Sequence, residues 1–544
     1  MSGWSLRRLV RVGRGWLVGA TSLALVASMA PGDVAWADEA TPAPAPVEVV
    51  AGQEPGPDGL VPLDGEVTRP DWVSAWVTAR ASGRRVEVLA ERSETRRVWV
   101  HPDGHVQEEV AAAPVRFKDA SATATDGWRA IDTTLKATPS GAVPAAMPGA
   151  VRVGGDQVVS MADAAGDGAA LSLDGIALGT PVVEGSSATY RDVVPGVDVR
   201  VDVRPVGFEL VWVVKSRKGM SEAVRRWGRA GEVVFPTTLT GAGDTVPTAG
   251  KDGSVELVDA SSKKPRGRLA APQMWDAGAS KHADRGASKA AGFRLGAVKR
   301  VGKVSRASLG VVADVAWLNS PQRTFPVTVD PTYAQSTPYP IFDTFVQQGY
   351  TTDQSTSSEL KLGNNGSWQV ARSYLNFDAA AFKGKKVTSA SLSLYASHSW
   401  SCTPRAWSTY DAGVASTSTL WTAQPTIGAK RVTSTETKGY SSACPDGRVN
   451  ITMTEQAKAW STSSASSVGM MLRADDETDP YGWKRFYSND SAYRPVMSLN
   501  YDRAPVTANV PTISKSAVVN GKTFLSVADP ALSTQVPLML MATR

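Results

Sequence analysis

Cysteine is nearly absent from this chain, with only Cys402 and Cys444 among 544 residues. That excludes a Cys-rich zinc scaffold and a small disulfide-dense fold. Histidine is almost as scarce, at four residues. His101 and His105 flank Pro102-Asp-Gly104, where proline and glycine forbid the helix that would align an i, i+4 metal pair. His282 and His398 have no evident partner. A Gly-x-Ser-x-Gly nucleophile elbow is missing, so no catalytic residue is nominated. Ser261 and Lys264 have a nucleophile-lysine spacing, but they sit in a Lys-rich segment. Past the first thirty or so residues no apolar run is long enough to span a bilayer. A Leu-Pro-x-Thr-Gly sorting signal is absent as well. The formal charge is only +6. The first 37 residues hold four arginines and one aspartate, which leaves about +3 elsewhere, too little for a nucleic-acid footprint.

Those first residues form an export signal. Arg7, Arg8, Arg11 and Arg14 precede an apolar run from Trp16 to Met29. Ala35-Trp36-Ala37 then places small residues where a signal peptidase reads, with cleavage after Ala37. A secreted protein, extracellular or associated with the cell wall, is expected, with no transmembrane segment once the signal is removed. In an oxidising compartment Cys402 and Cys444 pair as a disulfide. Residues 38–85 are rich in Ala, Pro, Glu and Gly near their start and read as a linker.

Strand signals dominate the rest. Arg97-Val-Trp-Val-His101 and His105-Val-Gln-Glu-Glu-Val110 alternate around Pro-Asp-Gly, which predicts a hairpin. In Val197-Asp-Val-Arg-Val-Asp-Val-Arg204 four valines share one face, with Asp and Arg turned to solvent. Arg372-Ser-Tyr-Leu-Asn-Phe-Asp378 and Ala390-Ser-Leu-Ser-Leu-Tyr395 alternate likewise, which predicts half-buried strands. Thr452 and Glu455 have capping-box spacing, with Met453, Ala457 and Trp460 on one helix face. The expected class is all-β: a large sandwich-like region over 86–335, a second sandwich over 336–503, and a tail or opening of a further β domain over 504–544. Residues 263–306 hold twelve Lys and Arg against Asp276 and Asp284. That stretch reads as a solvated basic loop, or as a contact for an anionic wall polymer or membrane surface.

Trp400, Trp407 and Tyr410 lie amid Ser, Thr and Pro near the cystine. They have two readings, packing in a core or stacking on sugar rings at the surface. Trp421 and Trp460 lie in apolar patterns and read as core. Asp475, Asp476, Glu477 and Asp479 form the densest acidic cluster. It is either a solvated loop between strands or a carboxylate set for calcium or glycoside hydrolysis. No paired-carboxylate cleft is visible in the sequence.

From Asp343-Thr-Phe-Val346 onward the chain resembles a DNRLRE domain, a jelly roll grouped with carbohydrate-binding modules. The likeness is carried by Leu362-Gly363, Arg372 to Asp378, Val387 to Tyr395, Thr419-Leu-Trp421, Trp460, Phe486-Tyr-Ser488 and Leu499-Asn-Tyr501. Pro114-Val-Arg-Phe117, Gly127-Trp-Arg-Ala-Ile-Asp132, Thr189-Tyr-Arg-Asp192 and Phe325-Pro-Val-Thr-Val-Asp-Pro-Thr332 are similar to the β-rich segment of secreted RHS/YD-repeat, polymorphic-toxin-type proteins. The first resemblance implies a non-catalytic jelly roll whose partner is a polysaccharide or cell-wall polymer. It also implies a structural calcium as the one cofactor to consider, with the 475–479 carboxylates as its ligands. The second implies a display or delivery portion of a toxin.

Overall fold

The structure, a computed structural model, describes residues 67–119, 127–279, 288–335, 342–367, 369–503, 516–519 and 522–525. The export signal with Ala37, most of the linker and His282 lie outside the described residues. In the tail, Ser516–Val519 pairs with Lys522–Leu525 as a hairpin.

The all-β expectation holds: strands account for most of the described chain and helices are few and short. One sandwich spans residues 132–335. Its first sheet runs, in spatial order, Gly292–Leu295, Val304–Asp314, Glu232–Ala242, Gly168–Ser172, Gln157–Ala162, Ala150–Gly154, Gly141–Ala146 and Asp132–Thr138. Its second runs Val182–Glu184, Ser187–Val194, Val197–Arg204, Gly207–Val214, Thr332–Gln335, Pro265–Leu269, Val255–Asp259 and Thr245–Ala249. The four valines at 197, 199, 201 and 203 point into the core between these sheets. There Trp212 stacks on Phe235 with ring centroids 4.9 Å apart. Their alternates do not all face water, however: Asp202 and Arg204 line a cleft.

The second sandwich is built on strands Phe342–Gln347 to Val496–Asp502, and the expected boundary at residue 86 is not where its sheets end. The hairpin Arg96–Val100 and Val106–Ala111 forms as the Pro-Asp-Gly turn predicts, with Gly104 at φ +93°. It then adds to the C-terminal sheet, Val106–Ala111 pairing antiparallel with Val496–Asp502. Outside the hairpin, Val86–Val88 and Val67–Arg69 extend the same sheet. The linker reading therefore fails for its last part. Trp72–Ser82 is a helix, capped by the Asp71 side chain, which accepts from Ser74 N at 2.9 Å, and closed by Gly83 at φ 67°. Trp72 Nε1 donates to Glu91 at 2.6 Å, and Ala75 and Ala79 are buried. A single packed face was enough to order a segment whose composition reads as flexible.

Two further expectations change. The helix near 453 runs Thr454–Ser461 with Met453, Ala457 and Trp460 buried as predicted, but Met453 is the cap residue and no capping box forms. Where it is described, the basic stretch is not one loop but a set of short strands that includes Pro265–Leu269, Gln273–Asp276 and Lys299–Val301. Its cations find acids on neighbouring strands: Arg266 with Asp259 at 3.0 Å, Lys289 with Asp314 at 2.6 Å, Arg294 with Glu232 at 2.8 Å, and Arg300 with Asp244 at 2.6 Å. Six of the ten described cations in the stretch thus have an acidic partner.

A buried carboxylate fastens the hairpin to the C-terminal sheet. Glu108 is fully buried. It accepts from Arg96 Nε at 2.8 Å, Lys385 Nζ at 2.5 Å and the Tyr501 hydroxyl at 3.1 Å. Burial pushes its pKa up, but Arg96 and Lys385 outweigh that and hold it below the usual value. Glu108→Ala, which removes the buried acceptor shared by the half-buried Arg96 and Lys385, should cost roughly 1.5–3 kcal/mol of unfolding free energy in urea titration. The cystine Cys402–Cys444 forms as expected and closes a loop with a sequence separation of 42. Replacing both cysteines with serine should lower stability by up to about 4 kcal/mol on the chain-entropy view, read by the same titration.

Candidate functional site

Strand Val370–Asp378 turns Leu375 and Phe377 into the core of the second sandwich and Arg372, Tyr374 and Asn376 to its outer face. That face is not bare. Tyr374 and Asn376 are buried too, because the segment 413–426 folds over them. Asn376 pins this cover with both ends of its amide: Nδ2 donates to Ala415 O at 2.8 Å and Oδ1 accepts from Ala415 N at 3.0 Å. Tyr374, Met471 and Ala415 form a small second core there, with Tyr410 and Trp421 half-buried at its edge.

Beside Trp421 the polar groups are tightly ordered. Arg372 grips Glu477 with two hydrogen bonds, at 2.7 and 2.9 Å, and donates to Gln424 Oε1 at 3.1 Å. Its guanidinium lies 5.1 Å from the Trp421 ring centroid. Gln424 also accepts from the Tyr374 hydroxyl at 2.8 Å and donates to Trp421 O at 2.9 Å. Arg473 adds a second cation on Glu477 at 3.0 Å. Burial pushes the Tyr374 hydroxyl up to about 12, so it stays a donor at any ordinary pH. A fixed guanidinium and amide next to partly exposed rings suit a polyhydroxylated ligand, whose hydroxyls take hydrogen bonds while its C–H faces lie on the rings.

The residues singled out from sequence are placed differently. Trp407 is in the core, its ring 5.2 Å from Phe486 and its Nε1 donating to Glu436 O at 3.0 Å, so it offers no exposed stacking face. Ser408 and Thr409 follow it on the same strand and are buried with it, while Thr403 and Pro404 precede the strand. Trp400 is half-buried with its edge against His398. Tyr410 alone of the three reaches the outer face. Arg372 and Gln424 were passed over, and Trp421 stands at the rim where a core position was expected. The signal was the period-two pattern of Arg372-Ser-Tyr374, which puts arginine and tyrosine on one face.

The acidic cluster does not converge. Asp475 pairs with Lys430 at 2.8 Å, Glu477 with Arg372 and Arg473, and Asp479 with Arg405 at 2.6 Å. Asp476 accepts from Thr478. Among the described residues no group of three His, Cys, Asp or Glu is placed to hold a metal ion. The carboxylates at 475–479 do not fit a calcium site, since each is already committed to a separate partner. His101 and His105 do not meet either: His101 Nε2 faces Gln107 at 3.1 Å, and His105 sits between Asp103 and Asp502 at 3.1 Å from each.

Carboxylates do gather elsewhere, in a cleft of about 720 Å³ walled by the second sheet of the first sandwich and by residues 345–361 and 485–492. Here Glu209 and Asp330 share a hydrogen bond, with burial raising the Asp330 carboxyl well above its usual value and the Arg204 guanidinium keeping Glu209 ionised. The raised Asp330 carboxyl is thereby set to donate to its ionised neighbour. Sequence reading could not find this pair, because its members lie on strands far apart in the chain.

Residues 334–501 match carbohydrate-binding module family 96. The chain is also 28% identical over 214 residues to the tRNA3(Ser)-specific nuclease WapA of Bacillus spizizenii, covering 36% of this chain and 8% of that protein. It is 26% identical over 222 residues to the tRNA nuclease WapA of Bacillus subtilis strain 168, covering 38% of this chain and 9% of that protein. The chain thus aligns with less than a tenth of the length of these relatives. Its C-terminal sandwich is similar to a carbohydrate-binding module, while the finer DNRLRE and RHS/YD-repeat assignments remain readings of the sequence.

Proposed function

We propose that this is a secreted, non-catalytic protein that binds polysaccharide or cell-wall material through the outer face of its C-terminal sandwich. Arg372 and Gln424 would hold sugar hydroxyls and Trp421 and Tyr410 would supply ring faces, with no bond made or broken. The carbohydrate-binding module match across 334–501 carries this reading, because the strands that build the face lie inside it. The Glu477 fork supports it further: it holds the Arg372 guanidinium in place before any ligand arrives, so little ordering entropy is spent on binding. The export signature read at the N-terminus supports an encounter outside the cell.

A second reading takes the chain as a display or delivery portion of a polymorphic toxin. The short similarity to WapA nucleases favours it. A glycan array probed with the whole chain separates the two, since display alone predicts no hits. On the binding reading, Arg372→Ala and Trp421→Ala should each weaken the best hit about 5- to 30-fold, equivalent to roughly 1–2 kcal/mol. Titration calorimetry would give the affinities and thermal melting would check that the variants stay folded. Blank arrays, or affinities that ignore both substitutions, would count against the proposal.

A further inference from the structure

The cleft between the sandwiches holds one carboxylate that the fold leaves without a donor. Asp490 is 8% exposed and lines the cavity. Its backbone N–H donates to Ser488 Oγ at 3.1 Å, but its carboxylate accepts no hydrogen bond among the described residues. Three other acids that line the cleft have cationic donors. Glu209 has Arg204 at 2.5 Å, Asp353 has Arg268 and the Ser355 hydroxyl, and Glu359 has both arms of Arg485. A buried carboxylate normally recruits a donor or gives up its charge. Burial pushes Asp490 up to about 6, with Arg204 and Arg494 pulling it down and Asp353 and Glu209 pushing it up. It in turn raises Asp343.

The cavity is of ligand size and mixed character. Its roughly 720 Å³ falls within the usual range for small-molecule sites. Half-buried Trp275 and Tyr350 contribute ring surface, and Thr356, Ser357, Ser358 and Ser491 contribute hydroxyls. Seven carboxylates line it against four cations among the described residues. The missing partner of Asp490 is therefore a cation, and the hydroxyls and rings around it call for a polyol with apolar faces. No trio of ligands suited to a metal ion is present among the described residues.

We propose that this cleft is a second binding site, for an amine-bearing saccharide, whose ammonium donates to the Asp490 carboxylate. None of Arg372, Tyr410, Trp421 or Gln424 lines the cleft, so the site stands apart from the outer face and does not rest on the function proposed for it. Binding keeps Asp490 ionised and the amine protonated. Affinity is accordingly bell-shaped in pH: it falls below about 6 as Asp490 takes its proton and falls again as the amine loses its own.

The test is titration calorimetry of the whole chain with glucosamine trimer, N-acetylglucosamine trimer and trilysine. The amine trimer should bind at least tenfold more tightly than the acetylated one, and trilysine more weakly than the amine trimer. Asp490→Asn should abolish the preference and the acid limb of the pH profile while keeping the fold, because it removes a buried charge and leaves no partner stranded. Equal binding of the two trimers, no binding of the amine trimer, trilysine binding as well as the sugar, or a preference that survives in Asp490→Asn would each overturn the proposal. If the asparagine variant fails to fold, the pH profile of the unaltered chain decides, and a flat profile from pH 5 to 7 would be fatal. Hits on uncharged glycans that vanish in Arg372→Ala concern the outer face alone, so the two readings fail separately.

Discussion

Glu108 sits where two parts of the sequence nearly four hundred residues apart become one sheet. It receives Arg96 from its own hairpin, and Lys385 and Tyr501 from the C-terminal strands. Water cannot replace any of these partners at a fully buried position. With the hairpin in place, Val98 and Val106 enter the same core as Leu392, Leu394, Met497 and Leu499. The C-terminal sandwich is thus completed by residues from the beginning of the described chain. Arg494 repeats the theme nearby, reaching back to the carbonyl of Pro114.

Period-two patterns were enough to find strands and to say which residues enter a core. The valines of 197–203, Leu375, Phe377, Leu392 and Leu394 all lie where alternation puts them. Alternation says nothing about what covers the other face. Tyr374 and Asn376 were expected in water and are roofed by 413–426. Asp202 and Arg204 face a second sandwich. The same limit explains the ion pairs: Arg300 with Asp244, or Glu477 with Arg372, join residues 56 and 105 positions apart. Local counting of charge therefore read short, partly ion-paired strands as a basic loop and a committed set of acids as a calcium candidate. Trp407 shows the opposite error, a core residue disguised by polar neighbours.

The two proposed surfaces share a pattern in which ion pairs fix the charged side chains. At the outer face, Glu477 immobilises Arg372 and Gln424 ties Tyr374 to the backbone of Trp421, so the groups left for a ligand are pre-set. In the cleft, Arg204, Arg268 and Arg485 satisfy Glu209, Asp353 and Glu359, and Asp490 is the acid they leave over. Burial raises the Asp330 carboxyl beside Glu209, while Arg204 holds Glu209 below its usual value.

Hydrogen–deuterium exchange of the whole chain, with and without a saturating polysaccharide drawn from the array hits, tests the proposed binding most directly. Ligand-induced protection should centre on residues 407–430 and 467–478, the segments that carry Tyr410, Trp421, Gln424 and Glu477, while the polysaccharide comes through the incubation with its chain length unchanged. Protection confined to other segments, or shortening of the polymer by the protein, would contradict it.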